Sequence, residues 1–410
     1  MHFKYVIREK SMQLVSIRLI LLSVLIVLTQ LSCSSSKTET IRPVDTVRIA
    51  LFNIWELSTD KLTNIDPSGI GQDEQVIAAA QIITRVDPDI LVINEIDHDI
   101  DAIDKGEDLT LNLRRFKENY LSTSDYKYMY VAPCNTGFLA GMDFDNNGMV
   151  ASQADQGSRD HGGDCYGYGA YPGQYSMAIL SKIPLMNEKA RTFQKFLWKD
   201  LPENLIPREW YSEDEIDIFR LSSKSHWDIP FQIGENIIHL LVSHPTPPGF
   251  DGDENRNGRR NYDEIRMWVH YLNNDSVMVD DSGVRGGLSE VESFIILGDL
   301  NAAPHGDTLK SGQSSIDQLL KHPRVRDCAD LLKSTGALNG RDPGPPKHIE
   351  NRTAGWGNRG LRIDHILPSK DLNVSNGAVY WPDKSVDSTG AANAKKASDH
   401  RLLWLDIVIE

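Results

Sequence analysis

Two stretches decide the fold: DILVINEI, residues 89–96, and SFIILGDLN, residues 293–301. Each is a nearly unbroken run of β-branched and aliphatic residues, as expected of a strand covered on both faces. Each ends abruptly in polar groups, Asn94-Glu95 in the first and Gly298-Asp299-Leu300-Asn301 in the second. A covered strand that terminates in carboxylates needs something charged for them to converge on.

The same pattern recurs along the chain. TVRIALFNIW (46–55) is β-rich and carries Asn53 near its end, and IIHLLVS (237–243) runs into His244. LRIDHIL (361–367) holds Asp364, and RLLWLDIVI (401–409) follows Ser398-Asp399-His400. Strands are also expected over 126–133 and 174–181. Helical spacing with an acidic start predicts a helix over 73–86, closed by Pro88, and further helices over 107–121 and 262–272. Many strands with only some helices between them imply an α/β fold of two packed sheets flanked by helices.

The residue types at the strand ends are informative. Carboxylates and amides are hard oxygen donors, suited to Mg²⁺, Mn²⁺ or Ca²⁺ rather than a thiolate metal. Asp299 and Asn301 are two apart, so an extended chain points both to one side. Histidines 244 and 400 add proton-transfer groups that titrate near neutrality. Taken singly, each residue has an ordinary use: Asn53 in a turn, Asp299 as a helix cap, His244 as a satisfied core histidine.

Taken together, LFNIW, INEI, SHPTPP, GDLNAAP, RIDHIL and SDHRLLW, in this order, resemble the endonuclease/exonuclease/phosphatase superfamily. The resemblance implies a four-layer α/β/β/α sandwich of two mixed β-sheets over residues 47–410. It also implies Mg²⁺-dependent hydrolysis of phosphate esters, most of all phosphodiesters, by in-line attack of water. Carried over by position, Glu95 is the principal metal ligand, with Asn53 and Asp399 completing the metal set. Asp299 orients or deprotonates water, and Asn301 contacts phosphate. His244 serves the leaving oxygen, and Asp364 orients His400, which contacts the phosphate or acts as base. A metal that neutralises non-bridging charge, one group for water and one for the leaving group suffice for such a reaction.

The remaining features bound the setting. The 410 residues carry a formal charge of -15, are 40% apolar and 25% charged, and show no internal repeat. The acidic balance argues weakly against a general nucleic-acid binder. Basic residues precede an apolar run over 17–31, too short for a membrane span and right for a signal peptide. The run ends at Ser32-Cys33, so residues 1–33 resemble a lipoprotein signal with Cys33 the lipidated residue and 34–46 a polar tether. A cleaved secretory signal and an uncleaved anchor are the alternatives. The expected product is an exported monomer of the bacterial cell envelope, held to the membrane by its N-terminal lipid.

Cys134 and Cys165 flank a Gly-rich insertion and are either bonded to each other or two buried thiols. Two stretches resemble calcium loops: Asp143, Asp145 and Asn147, and Asp253, Asn255 and Asn257 with Glu264 in the twelfth position. Turn structure, or a phosphate-contacting cluster of Arg256, Arg259 and Arg260, is the other reading of the second. The insertion over 157–173 either walls the substrate site or is an ordered surface loop. No G-x-S-x-G and no H-E-x-x-H occurs, which leaves serine-hydrolase and zincin chemistry unsupported. The substrate classes open at this point are DNA, RNA, a lipid headgroup or another small phosphoester. Outside that class stand a metal-independent glycosidase and a catalytically silent binding protein.

Overall fold

The computed structural model describes residues 45–409 except 107, 305–308, 310, 340–345 and 357–358. Thirteen strands are found among these residues. β1 (Thr46–Leu57), β2 (Ile90–Ile96), β3 (Tyr128–Tyr130), β4 (Ser176–Ser181), β12 (Val374–Val379) and β13 (Leu403–Val408) make one sheet in the order β12-β13-β1-β2-β4-β3. β5 (Arg191–Thr192), β6 (His226–Ile233), β7 (Asn236–Ser243), β8 (Ser293–Asp299) and β11 (Asp364–Pro368) make the other, ordered β11-β8-β7-β6-β5. β9 (Ala354–Trp356) and β10 (Arg359–Leu361) form a small separate pair. Both large sheets are mixed. Each has one parallel pair, β1 with β2 and β7 with β8, among antiparallel neighbours.

Alternation along the strands produces four layers. Ile49, Leu51, Ile90 and Val92 of the first sheet meet Ile229, Leu240, Val242 and Ile295 of the second in the central core. The intervening residues of the first sheet, Ala50, Phe52, Leu91 and Ile93, face outward onto helices α1 (Glu74–Val86), α2 (Leu111–Tyr120) and α4 (Ser388–Ala397). On the far side, Leu241, Phe294 and Ile296 pack on helix α3 (Arg256–Leu272) through Ile265, Trp268 and Tyr271. Sheets buried on both faces explain the continuous apolar runs. At roughly 1.5–3 kcal/mol per fully buried large aliphatic side chain, these three cores are the dominant favourable contribution.

Helix α1 starts where its sequence indicates. Asp73 caps it by accepting from Gln75 N and Val76 N, both at 3.0 Å, and Asp87 ends it in the left-handed region. α3 begins six residues before the expected 262, running through Gly258 because tertiary packing outweighs the weak local propensity. The expected helix over 107–121 is α2 alone, and the expected strand over 361–367 is broken at Arg362-Ile363 into β10 and β11. β6 carries no clear sequence signal because Asp228 and Pro230 interrupt it. β5 pairs only with Trp227 and Asp228, so Pro230 lies beyond the stretch that β5 covers. Among the described residues no helix is long and apolar enough to cross a membrane.

Candidate active site

The parallel pairs bring their C-terminal ends together. Asn53 lies opposite Asn94, and the register between β1 and β2 shifts just beyond, leaving Glu95 on a bulge. Across the sandwich, Asp299 at the end of β8 pairs with Asp364 at the start of β11. The two sheets are tied here by Asp299 N, which donates to Asn94 Oδ1 at 2.8 Å. Gly298 is required at this junction: a Cβ there would lie 1.8 Å from the Ser243 carbonyl oxygen.

One atom is the hub. Asp299 Oδ2 accepts from Asn53 Nδ2 at 3.0 Å, and the imidazole Nε2 atoms of His244 and His400 lie 3.5 and 3.7 Å from it. Asn53 Nδ2 also donates to Glu95 Oε1 at 3.0 Å, and Glu56 N donates to Glu95 Oε2 at 3.1 Å. His400 Nδ1 faces both oxygens of Asp364, at 3.0 and 2.9 Å, so its Nε2 is the atom turned to the site. Asp399 Oδ1 lies 4.0 Å from His400 Nε2 and accepts from Ser398 Oγ at 3.4 Å.

The charges are strongly perturbed. Burial, opposed by His400 but reinforced by Asp364 and Glu95, raises the Asp299 carboxyl above the usual range. Burial alone would lower His400, yet the Asp364 and Asp299 carboxylates prevail and hold it protonated above its ordinary value. His244 is driven well below its ordinary value by burial and then by the Lys224 and His400 charges. Asp97 is raised to about 7 by burial, against hydrogen bonds from Tyr171 and Tyr175 and with Glu56 and Glu95 adding to the rise.

A divalent cation fits this donor set. Glu95, His244 and Asp299 offer ligand atoms within 4.8 Å of one another, as do Asp299, Asp364 and His400. A buried carboxylate with a raised proton affinity, such as Asp299 crowded by Glu95 and Asp364, is relieved by a hard positive ion. Backbone strain marks the same place. Trp55, Glu56, Glu95, Tyr175 and Asn301 all have positive φ without being glycine, and all lie at or beside these strand ends.

Positive φ also places Asn301 differently from an extended chain. The chain turns at this residue, φ 51°, instead of continuing extended. Asn301 N donates to Asp299 Oδ1 at 3.0 Å and its Nδ2 to Pro245 O at 3.1 Å, fastening the His244 loop to the Asp299 loop.

Sequence reasoning missed Asn261 and Lys224 and left open whether the 157–173 insertion walls the site. Asn261 on α3 donates to Thr246 O and Leu300 O, at 2.8 and 3.0 Å. Tyr171 donates to Asp97 Oδ2 at 2.5 Å, placing part of the Gly-rich insertion against the site. Lys224, buried before β6, lies within electrostatic reach of Glu264, Glu95 and Asp299. No local pattern signals Asn261 or Lys224, because each acts through residues distant in sequence.

The second calcium-loop expectation is corrected. Asn257 and Glu264 both lie within α3, and Glu264 is fully buried, accepting from Ser223 N at 2.7 Å and Thr246 N at 2.6 Å. Its carboxylate braces the site loops and is not turned to Asp253, Asn255 and Asn257. Of the neighbouring arginines, Arg256 and Arg260 are held by protein carbonyls and Arg259 pairs with Glu209. In the first loop, Asp143 and Asp145 gather with Asp164, whereas the Asn147 side chain accepts from Met149 N. Asp143 and Asp164 are themselves taken up by backbone amides. Cys134, Cys165 and Cys328 are buried free thiols, so the Cys134–Cys165 bond is absent. Cys33 and the signal over 1–33 lie outside the described residues.

Fold and site together define a two-sheet hydrolase that gathers acids, amides and histidines at paired strand ends. The family model of the Endonuclease/Exonuclease/phosphatase family matches residues 50–400, and the chain belongs to that family, whose members hydrolyse phosphoesters. No curated protein matches the sequence. Among solved structures, an endonuclease/exonuclease/phosphatase from Beutenbergia cavernae DSM 12333 shares the fold at 15% identity and TM-score 0.50, over 89% of this chain and 72% of that one. The human Nocturnin catalytic domain with bound sulfate anion aligns at 15% identity and TM-score 0.46, over 92% of this chain and all of that one. A truncated Caenorhabditis elegans TDP2 aligns at 13% identity and TM-score 0.43, over 89% and 98%.

Proposed function

We propose that this protein is a divalent-metal-dependent phosphodiesterase of the cell envelope. The observation that carries the reading is Asp299 Oδ2, which meets an amide from one sheet and two histidines of opposite protonation. Glu95 and Asn53 would hold Mg²⁺ with Asp299, and the ion supplies neutralisation of phosphoryl charge when bound. Asp299, with its raised proton affinity, is suited to take the proton of an attacking water. His400, held protonated by Asp364, supplies positive charge to a phosphoryl oxygen. His244, kept neutral, offers a hydrogen bond to the leaving oxygen. The negative net charge and the Cys33 signal favour a lipid headgroup or other small phosphodiester over duplex DNA.

The test is hydrolysis of bis-p-nitrophenyl phosphate and nicking of supercoiled plasmid by the purified protein in Mg²⁺. EDTA and His244→Ala are the controls. Hydrolysis lost in both controls is expected, and activity that persists in EDTA refutes the metal dependence. Nicking at a comparable rate would move the substrate class to nucleic acid. For the anchor, Cys33→Ser is expected to release the protein from the membrane fraction of the producing cell. An unchanged fractionation refutes lipidation.

A further inference from the structure

Lys224 stands in the run Ser222–Ser225 that leads into β6. Its backbone is pinned on both sides: Ser223 N donates to Glu264 Oε1 at 2.7 Å, and Asn135 N donates to the Lys224 carbonyl at 2.9 Å. Its side chain is therefore delivered to a set place. The residue is only 5% exposed. The charges that act on it are Glu264, Glu95, Asp299 and Arg260, and its own charge lowers His244. β6 and β7 pair His226 with Ser243, and Ser223 Oγ donates to His244 O at 3.5 Å, so Lys224 stands beside His244 where the two strands end.

No hydrogen bond or ion pair within 4.0 Å engages that ammonium among the described residues. Glu264, the acid with the largest effect on it, gives its two oxygens to Ser223 N and Thr246 N at 2.7 and 2.6 Å. An ammonium on a largely buried residue with no protein acceptor is open to an anion that enters the site.

We propose that Lys224 is a substrate-binding residue whose ammonium takes a non-bridging oxygen of the phosphoryl group. This rests on the phosphoesterase reading for its ligand and names a residue that reading leaves unused. The phosphoryl group would lie between Lys224 and the charged His400 on one hand and the ion held by Glu95 on the other. Three positive charges around one phosphoryl group favour an anionic centre with free non-bridging oxygens, so free phosphate is bound as an inhibitor.

The test compares wild type with Lys224→Met, Lys224→Gln and Lys224→Arg. Isothermal titration with inorganic phosphate in Mg²⁺ gives affinity, calorimetry without phosphate gives Tm, and bis-p-nitrophenyl phosphate gives kcat and KM. Loss of one charge-assisted hydrogen bond is expected to weaken phosphate roughly 10- to 100-fold in the Met and Gln variants. Lys224→Arg is expected to keep most of the affinity. The phosphate-free Tm is expected to hold, since the ammonium makes no bond within the protein that the substitution removes. A lowered Tm with phosphate affinity intact would make Lys224 a structural residue and overturn the proposal, as would a wild type that binds no phosphate. Wild type that binds phosphate through Lys224 but cleaves no phosphodiester leaves the anchor standing and sinks the phosphodiesterase reading. Wild-type turnover with unchanged KM and phosphate affinity in Lys224→Met does the reverse.

Discussion

Replacing Glu264 by Gln weakens the brace on which two site loops depend. Its carboxylate accepts from Ser223 N at 2.7 Å and Thr246 N at 2.6 Å, while Asn261, one turn earlier on α3, holds Thr246 O and Leu300 O. A Gln keeps one acceptor oxygen and turns an NH₂ toward the second backbone amide. The loss is one hydrogen bond to a charged group, about 1.5–3 kcal/mol, and one buried donor left unpaired, about 1–3 kcal/mol. The sum is roughly 2.5–6 kcal/mol. With an unfolding entropy of about 2.1 cal/mol/K per residue over the folded part of this chain, Tm should fall by roughly 3–8 °C. Scanning calorimetry of wild type and Glu264→Gln, each with and without Ca²⁺, is the assay. Two results would refute the reasoning. One is an unchanged Tm in the variant. The other is a Ca²⁺-dependent stabilisation of wild type that Glu264→Gln abolishes, which would return Glu264 to a calcium loop.

Asp364→Asn leaves one oxygen for His400 Nδ1 but removes the charge that keeps the ring protonated. Phosphodiester turnover should fall at least about 10²-fold, and a rate near wild type would unseat the pair. Gly298→Ala places a methyl group 1.8 Å from Ser243 O. It should destabilise by about 3 kcal/mol or more as β7 and β8 are forced apart, and an unchanged denaturation midpoint would contradict the close approach. Asp263 is raised to about 6 by burial against hydrogen bonds from Trp198 Nε1 and Leu205 N. Its folded pKa lies above the unfolded value, so its contribution is fully present below pH ~3.8 and is lost as pH rises through ~6, about 3 kcal/mol in all. Wild type should therefore lose stability relative to Asp263→Asn between pH 4 and 6, and parallel stability curves for the two proteins would refute this.

Much of the sandwich was legible because its strands are covered on both faces. That condition writes a continuous apolar run into the sequence, and β1, β2, β7, β8 and β13 were all visible by it. Where the condition fails the strand was not visible: β6 carries Asp228 and Pro230, and β12 is a polar edge strand, VSNGAV. The abrupt change to Asn53, Glu95, His244 and Asp299 at the strand ends was equally legible, since buried apolar segments do not end in carboxylates without a purpose.

What the tertiary structure alone decided is how these groups act. Asn53 and Asp299 are 246 positions apart, and only the packing of two sheets brings the amide of one to the carboxylate of the other. Asn301 was read as pointing with Asp299 on an extended chain, but the chain turns left-handed at this residue and its Nδ2 donates to Pro245 O. Glu264 fits a calcium-loop pattern by spacing, yet α3 continues through the loop and turns the carboxylate to Ser223 and Thr246. Lys224 has no pattern at all. Its significance lies in burial among acids contributed by three other segments, and distance along the chain carries no information about that. Local sequence reports which face of a strand is covered and where a strand ends, because those are set by near neighbours. Which strand ends meet, and which buried charges are left without partners, is set by topology.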